Sequence, residues 1–480
     1  MQTSGLFGRP SGGISLRLTH CSACIARTLA FLTLLFVMAS GVVVAQTGEY
    51  SLRDSVKIVS QYRGAAERII KTTLSDSSAW NRLALFCDTF GPRLSGSAAL
   101  ERSIDWIVAE LKAEGFDSVF TQDVTVPHWI RGAESCRMTA PVARDMAILG
   151  LGGSIGTPAG GIEAEVVSVR DFEELRARAD EVAGKIVLFN AEYESYSRTV
   201  AYRFNGAVEA AKAGAIASLV RSVGPFSMQT PHTGVMQYVD TIPRIPHAAV
   251  TIEDALMIQR WIDRGKSVRI HLNMEARYAD SARSRNIIAQ INGGERPDEI
   301  LVFGGHIDSW DVGSGAMDDA GGCFAAWRSL SVLKQLNLRP RRTVRLVMWT
   351  NEENGLQGAR TYADEFGDST HILALESDGG VFAPTGFGFT GAPKKHAVAR
   401  AAAALLTDIA ADSVRVGGGG ADVSQLNAKG VDMMGLEVDM ERYFWYHHTH
   451  ADTPDKLDPH EMNQCAAAMA VMMYVMADIP

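Results

Sequence analysis

Four short aliphatic runs in the second half of this 480-residue chain, at 299–304, 343–349, 372–375 and 433–436, constrain its fold more than any other feature. They are apolar almost throughout rather than on alternate positions, and polar residues or glycine bound them. Strands of that kind are buried on both faces, as in a parallel sheet sheltered by helices. Between the first two runs Ala326, Leu330, Leu333 and Leu336 recur on one helical face, until Arg339 and Pro340 end the pattern. Strand, helix, strand is the crossover unit of a parallel sheet. In open sheets of this design ligands bind beyond the carboxyl ends of the strands, where residues remote in sequence converge.

Acids and histidines fall at those ends. The clusters are His306 with Asp308, Asp318 with Asp319, Glu352 with Glu353, Asp378, and His448 with Asp452. Each has an ordinary explanation when taken alone. A histidine beside a carboxylate is commonly a satisfied pair, adjacent glutamates commonly mark a solvated face, and Asp318 with Asp319 would serve to cap a helix beginning near Ala320. Placement argues for more, because His306, Glu352, Glu353 and Asp378 share one position relative to their strands, which independent accidents would not produce. Zinc accepts imidazole and carboxylate together, and two such ions a few ångströms apart can share one carboxylate. With no thiolate in the set, the donors point to a hydrolytic metal pair rather than a structural zinc knot.

The successive motifs Gly305-His306-Ile307-Asp308-Ser309, Met317-Asp318-Asp319-Ala320-Gly321, Asn351-Glu352-Glu353-Asn354, Glu376-Ser377-Asp378-Gly379 and His448-Thr449-His450-Ala451-Asp452-Thr453 resemble those of the co-catalytic zinc exopeptidases, the aminopeptidase and glutamate carboxypeptidase family. The resemblance runs from about Ser51 to the C-terminus. Segments outside the metal motifs, among them 91–97, 126–132 and 306–313, narrow it to a carboxypeptidase branch acting on dipeptides with free termini. It implies an α/β fold, a mixed sheet flanked by helices, with an inserted protease-associated, cap-like domain. Carried over residue by residue, it implies two zinc ions per chain, one held by His306 and Asp378, the other by Glu353 and His448, with Asp318 bridging them. Glu352 would be the general base, and Asp308 would hold the His306 ring so that the correct nitrogen faces the metal. A cis peptide bond is expected between Asp318 and Asp319. Of His447, His448 and His450, only His448 has the family spacing, so the other two are read as neighbours.

Residues 1–45 contain Arg9, Arg17 and Arg27 but no acid, and an uncharged run from Thr28 ends in Val43-Val44-Ala45. That pattern reads as a secretory signal cut after Ala45, with an uncleaved anchor as the alternative. Its removal would take three positive charges and no negative ones, moving the formal charge from −9 to −12. An acidic mature chain argues against nucleic acid or an anionic lipid surface as partner, and no stable membrane association is expected after cleavage. No Asn-x-Ser/Thr acceptor occurs, so an exported protein of the bacterial periplasm or envelope is preferred over a secreted animal one. Cys87, Cys136, Cys323 and Cys465 are far apart and show no disulfide framework, which reads as buried free thiols.

About 435 residues exceed one ordinary core. The expected organisation is a peptidase domain in two parts, 46–140 and 281–480, interrupted by a cap-like insert at 141–280 that lacks the metal motifs. An amphipathic helix at Ala98–Glu114 and a strand at 119–126 open the first part, while the insert should hold strands at 185–189 and 215–220 around a helix at 206–214. Two signals are discounted. The run Gly150–Gly156 lacks the third glycine of a dinucleotide loop, and Gly417–Gly420 reads as a turn, beyond which the resemblance implies Asp422 as a substrate contact. The resemblance leads to an exported di-zinc exopeptidase acting on short peptides, with a homodimer suggested. Its rivals are an aminopeptidase on longer chains, a glutaminyl cyclase with one zinc, and a receptor-like ectodomain that would have lost ligands or the base.

Overall fold

In the computed structural model, which describes residues 52–367 and 370–480, the four aliphatic runs form neighbouring strands of one eight-stranded sheet. The proposed signal segment lies outside the described residues. The strands are β1 (Ser118–Val126), β2 (Ala282–Ile291), β3 (Arg296–His306), β4 (Arg342–Trp349), β5 (Thr370–Glu376), β6 (Pro384–Thr390), β7 (Ser413–Val416) and β8 (Asp432–Val438), in the order β1-β2-β4-β3-β5-β8-β6-β7. β4, β3, β5 and β8 are parallel, while β1 with β2 on one side and β6 on the other join antiparallel, making the sheet mixed. Every residue of β4 and the last seven of β3 are buried, as strands so largely apolar require.

Helices cover both faces. On one, Val302, Val347 and Ala374 pack with Ala359 and Tyr362 of the helix Gln357–Phe366. On the other, the helices Leu52–Leu74, Gly321–Gln335 and Pro459–Asp478 pack together. The last begins with Pro459, and Asp458 caps it by accepting from the amides of His460 and Glu461 at 2.7 and 3.2 Å. The helix Ala98–Glu114 keeps the predicted bounds: Ser97 caps its start and Gly115, at φ +71°, turns the chain out of its end.

A second eight-stranded sheet is built entirely from residues between Glu134 and Met274. Four of its strands, Ile162–Val169, Ile186–Phe189, Ala217–Arg221 and His247–Val250, run parallel and consecutively. The helix expected at 206–214 begins ten residues earlier, at Tyr196. Its first turns carry aromatic and β-branched residues with weak helical preference, and tertiary packing of Tyr196 on Phe444 and of Tyr202 on Phe172 holds them instead. Trp310 and Val312, from the loop after β3, complete one core of this second sheet. Cys87, Cys136, Cys323 and Cys465 are free and buried.

Gly304 sets how closely β3 and β4 approach. A Cβ there would collide with the Val347 carbonyl, 2.8 Å from its carbon. Gly304→Ala is therefore expected to cost about 1–3 kcal/mol through overpacking, read as a lower urea midpoint with unchanged slope.

Candidate metal centre

Strand register gathers the site. β3 sets His306 opposite Trp349 of β4 and Gly304 opposite Glu376 of β5, so residues 306, 352–353 and 378 leave the sheet at one edge. Asp318 reaches the same place from the turn Ala316–Ala320, and His448 follows the short helix Tyr443–Tyr446. The Asp318–Asp319 peptide bond is cis.

Asp318 stands at the centre. Its Oδ1 is 3.1 Å from His306 Nε2, which is itself 3.3 Å from Asp378 Oδ1. Its Oδ2 is 3.3 Å from His448 Nε2, which is 3.0 Å from Glu353 Oε2. Two imidazole-carboxylate pairs thus flank one carboxylate. Half-buried Glu352 lies beside them, with Oε2 3.9 Å from His306 Nε2. His447 also reaches Asp318, its Nε2 3.5 Å from Oδ2, and its ring stacks on that of His448 at 3.5 Å between centroids. His450 is exposed.

Surrounding groups fix these side chains. Asp308 holds the His306 ring through its main chain: Nδ1 bonds to the Asp308 carbonyl oxygen at 2.9 Å, while the carboxylate is 3.8 Å away. A residue two positions along a tightly turning chain presents its carbonyl first. The Asp308 carboxylate accepts instead from the Glu352 amide at 3.1 Å and from Ser95 Oγ at 3.2 Å, so it places the glutamate pair. Asp452 accepts from the amides of Met317 and Asp318 at 2.7 and 3.2 Å. His448 Nδ1 faces the Thr233 carbonyl at 3.3 Å, which leaves Nε2 turned toward Asp318.

Electrostatics expose a shortage of positive charge. Burial pushes Glu352 well above the ordinary glutamate range, aided by Asp378 and Asp318, and burial together with Asp318 does the same to Glu353. Burial disfavours a charged His306 ring, yet hydrogen bonds to Asp318 and Asp378 with the charges around it outweigh that and raise its pKa well above normal. Asp318 shows the reverse balance: burial opposes its charge, but His306 and His448 hold its pKa well below the usual value. Asp318 Oδ2 and Asp378 Oδ1 are buried and take no aligned hydrogen bond. His306, Asp318 and Asp378 offer donor atoms within one metal-sized group, and Asp318, His447 and His448 offer another. Mixed imidazole and carboxylate donors of this kind suit divalent zinc.

The profile of peptidase family M28 matches residues 286–473, which span β3 to β8 and include His306, Asp308, Asp318, Glu352, Glu353, Asp378 and His448. Carboxypeptidase Q of Mus musculus is 44% identical over 462 residues, covering 94% of this chain and 98% of that protein. The Homo sapiens carboxypeptidase Q is 47% identical over 407 residues, covering 84% and 86%. This chain belongs to peptidase family M28. As a member of that family it is a metallopeptidase. A solved M28 peptidase precursor from Shewanella amazonensis SB2B superposes with a TM-score of 0.83 at 34% identity, covering 88% of this chain and 97% of that one.

Within this M28 chain some groups at the site escaped the sequence reading. Arg93 is fully buried and donates to the carbonyls of Gly91, Ile307, Ser314 and Gly315, pinning the loop after β3. Only its place beside a glycine-rich segment hinted at this. Asp422, expected to touch substrate, is 1% exposed and packs against Glu376, whose pKa burial raises to about 7.

Proposed function

We propose that this M28 peptidase is an exported di-zinc exopeptidase that hydrolyses short peptides, dipeptides with free termini above all. The observation that carries this reading is Asp318, a single carboxylate within 3.1–3.3 Å of histidines from two separate clusters. In it His306 and Asp378 would hold one zinc ion and Glu353 and His448 the other, with Asp318 serving both. When bound, such a pair polarises the scissile carbonyl and lowers the pKa of water from ~15.7 to about 7. Glu352 takes a proton from the attacking water and passes it to the leaving amine, its carboxylate standing beside the ligand set with Oε2 3.9 Å from His306 Nε2. Asp308 holds its main chain in place.

Similarity to carboxypeptidase Q over most of the chain supports the substrate class. The insert acts as a cap in this reading: Thr233 brackets His448, and Tyr196 stacks on Phe444 and meets His447 edge-on. Export follows from residues 1–45, and among the described residues no helix is long and apolar enough to cross a membrane.

Mass spectrometry of a mixed peptide library incubated with zinc-loaded protein tests the reading. Loss of free dipeptides with blocked ones untouched is expected. Stepwise trimming of longer peptides from the amino end would favour the aminopeptidase, and one zinc per chain would favour the cyclase. Treatment with a strong chelator is expected to abolish hydrolysis and lower Tm, because an ion bound only by the folded site stabilises it.

A further inference from the structure

A cleft of about 780 Å³ lies in the second sheet's region, among Ser168, Asn190, Glu192, Tyr202, Arg221 and Ile262, and the metal ligands do not line it. It opens where the parallel strands Ile162–Val169, Ile186–Phe189 and Ala217–Arg221 end, the position at which open sheets bind ligands. Its volume falls in the range of small-molecule sites.

Its polar groups are not all satisfied from within. Ser168 and Asn190 are 6% and 9% exposed, and neither Ser168 Oγ nor Asn190 Oδ1 has a hydrogen-bond partner. Buried polar atoms are normally paired, so both call for a ligand or water. The cleft's other arginines are occupied: Arg170 and Arg178 pair with Glu174, and Arg198 with Glu194. Arg221 is different. Among the described residues it forms no ion pair, and burial lowers its pKa, with Glu192 the acid it feels. Glu192 is exposed and lines the same cleft. Tyr202, Leu256 and Ile262 add an apolar wall.

We infer that this cleft binds a free α-amino acid, with Arg221 taking its carboxylate, Glu192 and Asn190 Oδ1 its ammonium, and the apolar wall its side chain. A half-buried arginine without an ion pair and an exposed glutamate on the same cleft fit a zwitterion better than a simple anion, which Glu192 would repel. This goes beyond the proposed function. Naming the amino acid as the enzyme's product rests on that reading, while the binding does not.

Calorimetry on the zinc-loaded full chain tests it with L-leucine, L-leucinamide and N-acetyl-L-leucine. L-Leucine is expected to bind, and its two singly charged derivatives to bind at least tenfold more weakly. Arg221→Met and Glu192→Gln are each expected to weaken L-leucine at least tenfold while dipeptide turnover at low product stays unchanged. Unaltered L-leucine affinity in both variants would overturn the assignment, since binding would then belong to the metal centre. Equal affinity for all three probes, or no binding of L-leucine up to about 10 mM, would overturn it too. Arg221-dependent binding by a chain lacking peptidase activity would leave this site standing and remove only the reading of the metal centre.

Discussion

Glu352→Gln is expected to keep near-normal zinc content and lose at least ~100-fold in kcat, the scale of a general base. Glutamine has the same length and still leaves the main-chain amide for the Asp308 carboxylate, so residues 351–353 stay in place. What disappears is the ability to take and return a proton. The neighbouring donors are untouched, because Glu352 stands 3.9 Å from His306 while Asp318 and Asp378 hold the closer positions at 3.1 and 3.3 Å. Metal analysis with steady-state kinetics on a dipeptide checks both halves. Wild-type turnover would remove Glu352 from its role, and loss of zinc would make it a ligand instead.

Asp318→Asn is expected to act on the metals themselves. Asp318 presents one oxygen to His306 and the other toward His447 and His448, so its charge serves both clusters. An amide keeps the shape but offers one oxygen and no charge. Zinc is expected to fall from two per chain to one or fewer, with turnover down by ~1000-fold or more. That corresponds to about 4 kcal/mol of lost transition-state stabilisation, within the several kcal/mol that metal assistance supplies. Retention of two zinc ions at normal affinity would show that Asp318 does not bridge. Together the two variants separate proton transfer from metal binding.

Much of this architecture was legible before any coordinates. The largely apolar character of residues 343–349, broken only by Thr343 and Arg345, fits burial on both faces, and β4 is buried throughout. Gly115 marked the end of the helix Ala98–Glu114 because capping is local chemistry, and the structure adds Ser97 as the cap at its start. The helix from Tyr196 was half seen, since its opening turns depend on rings 248 residues further along the chain, at Phe444. His447 stood outside the motif spacing, and its approach to Asp318 is a matter of how the rings at 443–448 stack.

The residue types and their order therefore determined that this chain builds a parallel-centred sheet carrying carboxylates and imidazoles at its strand ends. Such information is local: periodicity, caps and the polarity of each strand's last residue. Only the tertiary structure decided that Asp308 orients its neighbour through a main-chain oxygen, that Thr233 of the second sheet's region faces His448, and that Asp422 is shut away against Glu376. Those outcomes depend on which atom of a residue faces which partner. Strand register and loop packing settle that, through distances that no spacing along a chain encodes.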